Sequence, residues 1–248
     1  MDYLTKTNEY YSKWIGKDNI LNNNFKGVKF IYSSERNKIQ HGYGKQLDLY
    51  IFSQSDKIIV SYGNKLIDEI KEVQKYFESI MPIDRVLIII KQLFGDCFNH
   101  DIKYVFNQIP NQKLNSRPLI DEEYLQYLEF FIKNNPNCEN TDWIKEYFIK
   151  MVNEHLCYGL FVNNTLISCS DAPDMPYMQE CVQEIGINTL EEYIGNGYAT
   201  DVCITCAKEI IKNEKCPLWS TSADNIASQK LAEKVGFIKF ADAITVTV

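Results

Sequence analysis

The spacing of apolar side chains changes several times along this chain, and each change predicts an element. Between Asn64 and Ile80, apolar residues fall at Ile67, Ile70, Val73, Phe77 and Ile80, the three-and-four recurrence of an amphipathic helix. Before it, Val28–Ser33, Leu47–Phe52 and Lys57–Tyr62 are short β-rich runs that predict strands. Arg85–Leu93 is a continuous apolar run, and periodicity leaves open whether it is a strand or a buried helix.

In the second half the pattern is sharper. Asp121–Lys133 predicts a helix with acidic residues in its first turn, where the macrodipole favours them. Thr141–His155 predicts another helix. Tyr158–Val162 and Thr165–Ser170 flank Asn163-Asn164, a pair suited to a hairpin turn. Then follow a strand over Val182–Asn188, a helix from Asn196 to Lys212, a strand over Pro217–Ser222 and a helix over Asn225–Lys234. A closing strand pair is expected at Phe237–Phe240 and Ala243–Val248.

Between the halves, Asn107–Pro118 carries two prolines and several polar residues, the composition of a connection. The expected organisation is an N-terminal α/β domain over 1–112 and a second domain over 118–248. Hydrophobic residues make up 45% of the 248, ample for a packed core. The net charge of −7 argues against a general nucleic-acid binder, which needs a basic face. No apolar run reaches the ~18–20 residues of a membrane span, and Met1–Tyr11 lacks a secretory apolar core. A cytoplasmic protein is therefore expected. Its eight cysteines lack the spacing of a disulfide scaffold, and Cys203-x-x-Cys206 lies inside a predicted helix with no His set beside it, so no metal site is expected.

The candidate chemistry lies between Glu184 and Phe237. Tyr193-Ile194-Gly195-Asn196-Gly197-Tyr198-Ala199-Thr200 is a glycine turn opening a helix. The first N–H groups of a helix have no intrahelical partner and carry partial positive charge, which suits a phosphate. Downstream, Asn225 caps a helix that Gly236 ends before Phe237.

Strand, glycine turn, helix, strand, Asn-begun helix and Gly-Phe in that order resemble the acyl-coenzyme A binding half of the GNAT N-acetyltransferase superfamily. The resemblance covers the chain from about residue 118 onward. The whole layout is similar to a two-part bacterial subgroup with a non-catalytic N-terminal half. It implies an α/β fold of the α+β kind, with a mixed, mostly antiparallel sheet flanked by helices. It also implies an acetyl-CoA-dependent N-acetyltransferase working through a ternary complex with a small-molecule or peptide amine, and is compatible with a homodimer. The alternative is a catalytically impaired GNAT-fold module that binds coenzyme A or regulates.

By the same resemblance, main-chain groups of Ile187, Asn188 and Thr189 pair with the pantetheine arm. Gly195, Asn196, Gly197, Tyr198, Ala199 and Thr200 cradle the pyrophosphate, and Asn225 and Ser228 contact the coenzyme. Glu184 is the candidate general base, with Glu180 next. An amine at neutral pH is mostly ammonium and must lose a proton before attacking a thioester. Two positions depart from the pattern. Ile194 stands where the family has Arg or Gln, removing a charge-assisted hydrogen bond worth roughly 1.5–3 kcal/mol. Ala232 stands where a thiolate-protonating tyrosine would map.

Overall fold

The computed structural model describes residues Met1–Val248. A helix α1 (Tyr3–Ile15), unmarked in the sequence reading, opens the chain: the Asp2 carboxylate accepts from the N–H groups of Leu4 and Thr5, and Gly16 ends it in left-handed geometry. Strands β1 (Gly27–Tyr32), β2 (Leu49–Gln54) and β3 (Lys57–Tyr62) follow as expected. The helix expected over 64–80 is shorter: one 3-10 turn and then α2 (Ile70–Tyr76). The ambiguous run is a helix, α3 (Ile83–Phe94), with Val86, Ile89 and Ile90 buried on one face. A second unanticipated element, strand β4 (Phe98–Phe106), ends the first half.

After the connection come a two-residue strand β5 (Arg117–Pro118), helices α4 (Tyr124–Asn134) and α5 (Ile144–Asn153), and the hairpin β6 (Tyr158–Val162) and β7 (Thr165–Asp171). Asn163 and Asn164 both have positive φ, as a tight hairpin turn demands. The strand expected over 182–188 is two short pieces, β8 (Val182–Glu184) and β9 (Gly186–Thr189). Then come α6 (Tyr198–Lys212), β10 (Cys216–Ser222), α7 (Ile226–Val235) and β11 (Phe237–Val246). The closing strand pair is thus one long strand, irregular between Lys239 and Ala241; its partners lie elsewhere in the chain.

Those partners come from the first half. A seven-stranded sheet runs in the order β1-β3-β2-β11-β4-β10-β8, and a four-stranded sheet in the order β5-β6-β7-β9. β11 lies between β2 and β4, antiparallel to both. β4 in turn lies between β11 and β10. The proline-containing connection at 107–118 therefore joins segments whose flanking strands share one sheet. α1 packs across this sheet through Tyr10, Tyr11, Trp14 and Ile15, against Val182, Leu218, Ala241 and Ala243. On the opposite face, Ile102, Tyr104, Trp219 and Phe237 join the core built by α4, α5, α6 and α7. The larger sheet is mixed with mostly antiparallel pairing, the smaller is wholly antiparallel, and helices flank them, which is the expected fold class.

Candidate active site

The site is built where the two sheets part. β8 pairs in parallel with β10, Glu184 opposite Leu218, and the Ile185 N–H donates to the Leu218 carbonyl at 3.2 Å. One residue later the chain leaves β10, and Gly186–Thr189 pair with β7 instead. The β10 edge from Trp219 to Ser222 is thus left without a neighbour on this side, and a wedge opens between β9 and β10 with Glu184 at its apex.

Alternation of an antiparallel ladder decides which main-chain groups face the wedge. The Leu190 N–H bonds to the Ile167 carbonyl, so Asn188, in register with Cys169, also points to β7. Ile187 and Thr189 point the other way, into the wedge. Of the three residues expected to offer backbone groups there, two do; Asn188 is turned to β7, and its exposed side chain lies on the opposite face.

Beside the wedge, α6 begins at the glycine turn. Gly195 (φ 87°) and Gly197 (φ 83°) are left-handed, and a Cβ at either would meet nothing within 4 Å. These glycines therefore serve backbone conformation rather than close packing. No side chain caps the helix, so the first-turn N–H groups of Tyr198, Ala199 and Thr200 are free. Asn196 folds inward, donating to the Tyr193 carbonyl at 3.1 Å. Ile194 is 65% exposed, so the departed position faces solvent rather than the core.

The helix is fixed from below by Asp201, whose carboxylate accepts from the main-chain N–H groups of Asn115 (2.8 Å) and Ser116 (2.9 Å). Asp201→Ala would orphan both donors at a buried site. It is expected to cost about 2–4 kcal/mol, read as a fall in the urea midpoint; a shift below about 0.5 kcal/mol would mean that water replaces the carboxylate.

Asn225 caps α7, accepting from the Ser228 N–H at 3.0 Å, and Ser228 Oγ in turn accepts from Trp219 Nε1 at 3.2 Å. These two residues join α7 to the wedge edge of β10. Ala232 is wholly buried in the core, so a tyrosine there would need repacking.

Glu184 lines a cavity of about 140 Å³ with Tyr10, Trp14, Tyr43, Tyr50 and Lys103, so the first half supplies most of its wall. Burial lifts the Tyr10 and Tyr50 phenols well above their ordinary value and keeps them protonated. Burial, the largest single influence, pulls the Lys103 ammonium down, but Asp101 at 3.1 Å together with Tyr43 and Glu184 outweighs it and the net movement is upward, so Lys103 stays charged. Of the other basic groups at this cavity, Asp174 is held by Lys150 at 2.6 Å, whereas Glu184 and the exposed His41 have no ion-pair partner. Glu180 is exposed outside it.

A second cavity, about 630 Å³, lies between α4, α5 and the β7–β9 ladder. Trp143, Tyr147 and the α4 aromatics wall it, and Gly42 belongs to both cavities. The exposed Trp143, at 48%, is the signal that separates this cavity wall from a core of aromatic residues. Cys203 and Cys206 share the buried side of α6.

Residues 169–242 match the model of the GNAT acetyltransferase family. The matched stretch runs from the end of β6–β7 through the wedge, cradle helix and α7 into β11. Among solved structures, a GNAT-family acetyltransferase from Colwellia psychrerythraea aligns at TM-score 0.51 and 17% identity, over 60% of this chain and 57% of that one. A putative GNAT acetyltransferase from Novosphingobium aromaticivorans aligns at 0.46 and 16% identity, over 61% and 66%. The alignments thus span less than two thirds of either relative, and the first, at 17% identity, speaks to the fold alone. No curated protein sequence matches. No helix is long and apolar enough to cross a membrane.

Proposed function

We propose that this protein is an acetyl-coenzyme A dependent N-acetyltransferase that acetylates an amine by direct transfer in a ternary complex. The observation that carries the reading is the parting of β9 from β10 immediately after Glu184, beside a helix that begins at an open glycine turn. The residues present suit the coenzyme: unpaired N–H groups at a helix start for the pyrophosphate, and outward main-chain groups of Ile187 and Thr189 for an extended amide-bearing arm.

Acetyl-coenzyme A supplies the acetyl thioester: a nitrogen–carbon bond forms, the carbon–sulfur bond breaks, and the coenzyme departs as thiolate, a stable leaving group near neutral pH. Glu184 takes the ammonium proton at the apex, directly or through water, before attack. The Ile187 N–H, the first wedge-facing donor after the split, polarises the thioester carbonyl. Gly195–Thr200 hold the phosphates, and Asn225 and Ser228 border the arm.

The test is thermal stability with and without acetyl-coenzyme A. Ligand at about 100 times its dissociation constant adds roughly 2.7 kcal/mol, a rise of several degrees. Gly197→Val should erase that rise, because a β-branched residue is strained at positive φ and would re-aim the cradle. No rise at millimolar ligand in the wild-type chain would end the reading.

A catalytically impaired coenzyme-binding module is the second reading, favoured by the exposed Ile194 and the buried Ala232. It requires binding without turnover over a broad amine panel. Ile194→Arg should restore a pyrophosphate contact and tighten coenzyme A about three- to tenfold by calorimetry, the solvent-exposed setting discounting a full charge-assisted bond. Unchanged affinity would place the side chain at 194 out of reach of the phosphates.

A further inference from the structure

Asp171 ends β7 in register with Gly186, on the strand that leaves the apex. A Cβ at Gly186 would lie 1.8 Å from Asp171 Oδ1, so glycine there makes room for the carboxylate against the strand. Glu184 lies across the break at Ile185, in β8, and lines the neighbouring 140 Å³ cavity.

Asp171 lies in the wall of the 630 Å³ cavity. Burial holds its carboxyl above the ordinary value; the influence that opposes burial is its own main-chain N–H, and no cation acts on it. An enclosed carboxylate without a positive partner is costly. The rest of the wall is mostly aromatic and amide, with Tyr127, Trp143 and Tyr147 prominent, completed by Gly42, Cys169 and Ser170, and it has neither lysine nor arginine. Such a wall suits a flat apolar body and a cationic head, and offers nothing to neutralise a carboxylate or phosphate.

We propose that this cavity is the acceptor site, that Asp171 holds the ammonium of the incoming amine, and that the acceptor is a primary amine on an aromatic or similarly flat apolar body without an anionic group. This rests on the N-acetyltransferase reading for its chemistry, but the site itself is a binding site and is tested as one.

Calorimetry on the full chain compares three probes of one shape: 2-phenylethylamine, 2-phenylethanol and phenylalanine. The amine is expected to bind at least tenfold more tightly than the neutral alcohol and than the amino acid, whose added carboxylate has no partner here. Asp171→Asn should weaken the amine at least tenfold, leave acetyl-coenzyme A affinity unchanged, and raise Tm by about 2–4 °C because an uncompensated charge is removed. Trp143→Ala, at the exposed rim, should weaken the amine severalfold, with a modest fall in Tm as its edge contacts with Phe131 and Tyr147 are lost. Equal amine affinity in wild type and Asp171→Asn would overturn the proposal, as would phenylalanine binding as tightly as 2-phenylethylamine. So would absence of amine binding at millimolar concentration in a chain that binds acetyl-coenzyme A, and that result leaves the acetyltransferase reading standing. Amine binding in a chain that ignores acetyl-coenzyme A would keep the site and end that reading.

Discussion

A chain shortened to residues 113–248 is expected not to fold. Local sequence suggests the opposite, because the family-matched stretch lies entirely within it. The loss is topological. β4, which the shortened chain lacks, is paired along one edge with β10 from Leu218 to Ser222 and along the other with β11 from Phe237 to Val246. Without β4, two strands lose their common neighbour, and Ile102, Tyr104 and Phe106 leave the core shared with Trp219 and Phe237. Deleting a single large core side chain costs about 3–5 kcal/mol, against a total stability of about 5–15 kcal/mol. Three such residues with α1 and a sheet partner exceed that margin, and the bare edges invite aggregation. Soluble yield, far-ultraviolet circular dichroism and a melt are the measurements. A soluble fragment with a cooperative transition would mean that β10 and β11 can pair directly.

The second large effect is expected at Glu184. Under the proposed mechanism, Glu184→Gln keeps the shape of the apex and removes its base, so turnover with a responsive amine should fall about 10²–10⁴-fold. Coenzyme affinity should stay within about twofold, since the cradle and the outward main chain of Ile187 and Thr189 are untouched. Raising pH should partly rescue the variant, because more of the amine then arrives unprotonated. Unchanged turnover would remove Glu184 from the mechanism and turn attention to Asp171 and His41.

Much of the second half was legible because its signals are local. Asn163-Asn164, the glycines at 195 and 197, and Asn225 with Gly236 each fix a turn or a helix end through their own backbone chemistry. α1 also had such signals, Asp2 before and Gly16 after, with Tyr10, Tyr11, Trp14 and Ile15 between, but its burial depends on a sheet that joins Tyr50, Phe52 and Ile59 to residues as distant as Cys216, 209 positions from Thr7. β4 alternates Phe98, His100, Ile102, Tyr104 and Phe106 against more polar neighbours, a readable strand. Its place between β10 and β11 is set by long-range pairing, which period cannot reveal. The same limit hid the break at Ile185: one apolar run serves two sheets, and only the change of partner divides it. At the site, the glycine cradle followed from the motif. Asp171 did not, because an aspartate closing a hairpin strand reads as a solvated end until a cavity is seen around it.

The interleaving of β4 and β11 also constrains how the molecule is made. On the ribosome, β2 and β4 emerge long before β11, the strand that sits between them. Until about residue 246 is available, both carry an open edge, and the first hundred residues wait with half a sheet. Contacts of such sequence separation slow folding, and exposed edges in the interval favour association between nascent chains. Synthesis rate and chaperone supply should therefore govern the yield of active protein more than its final stability does.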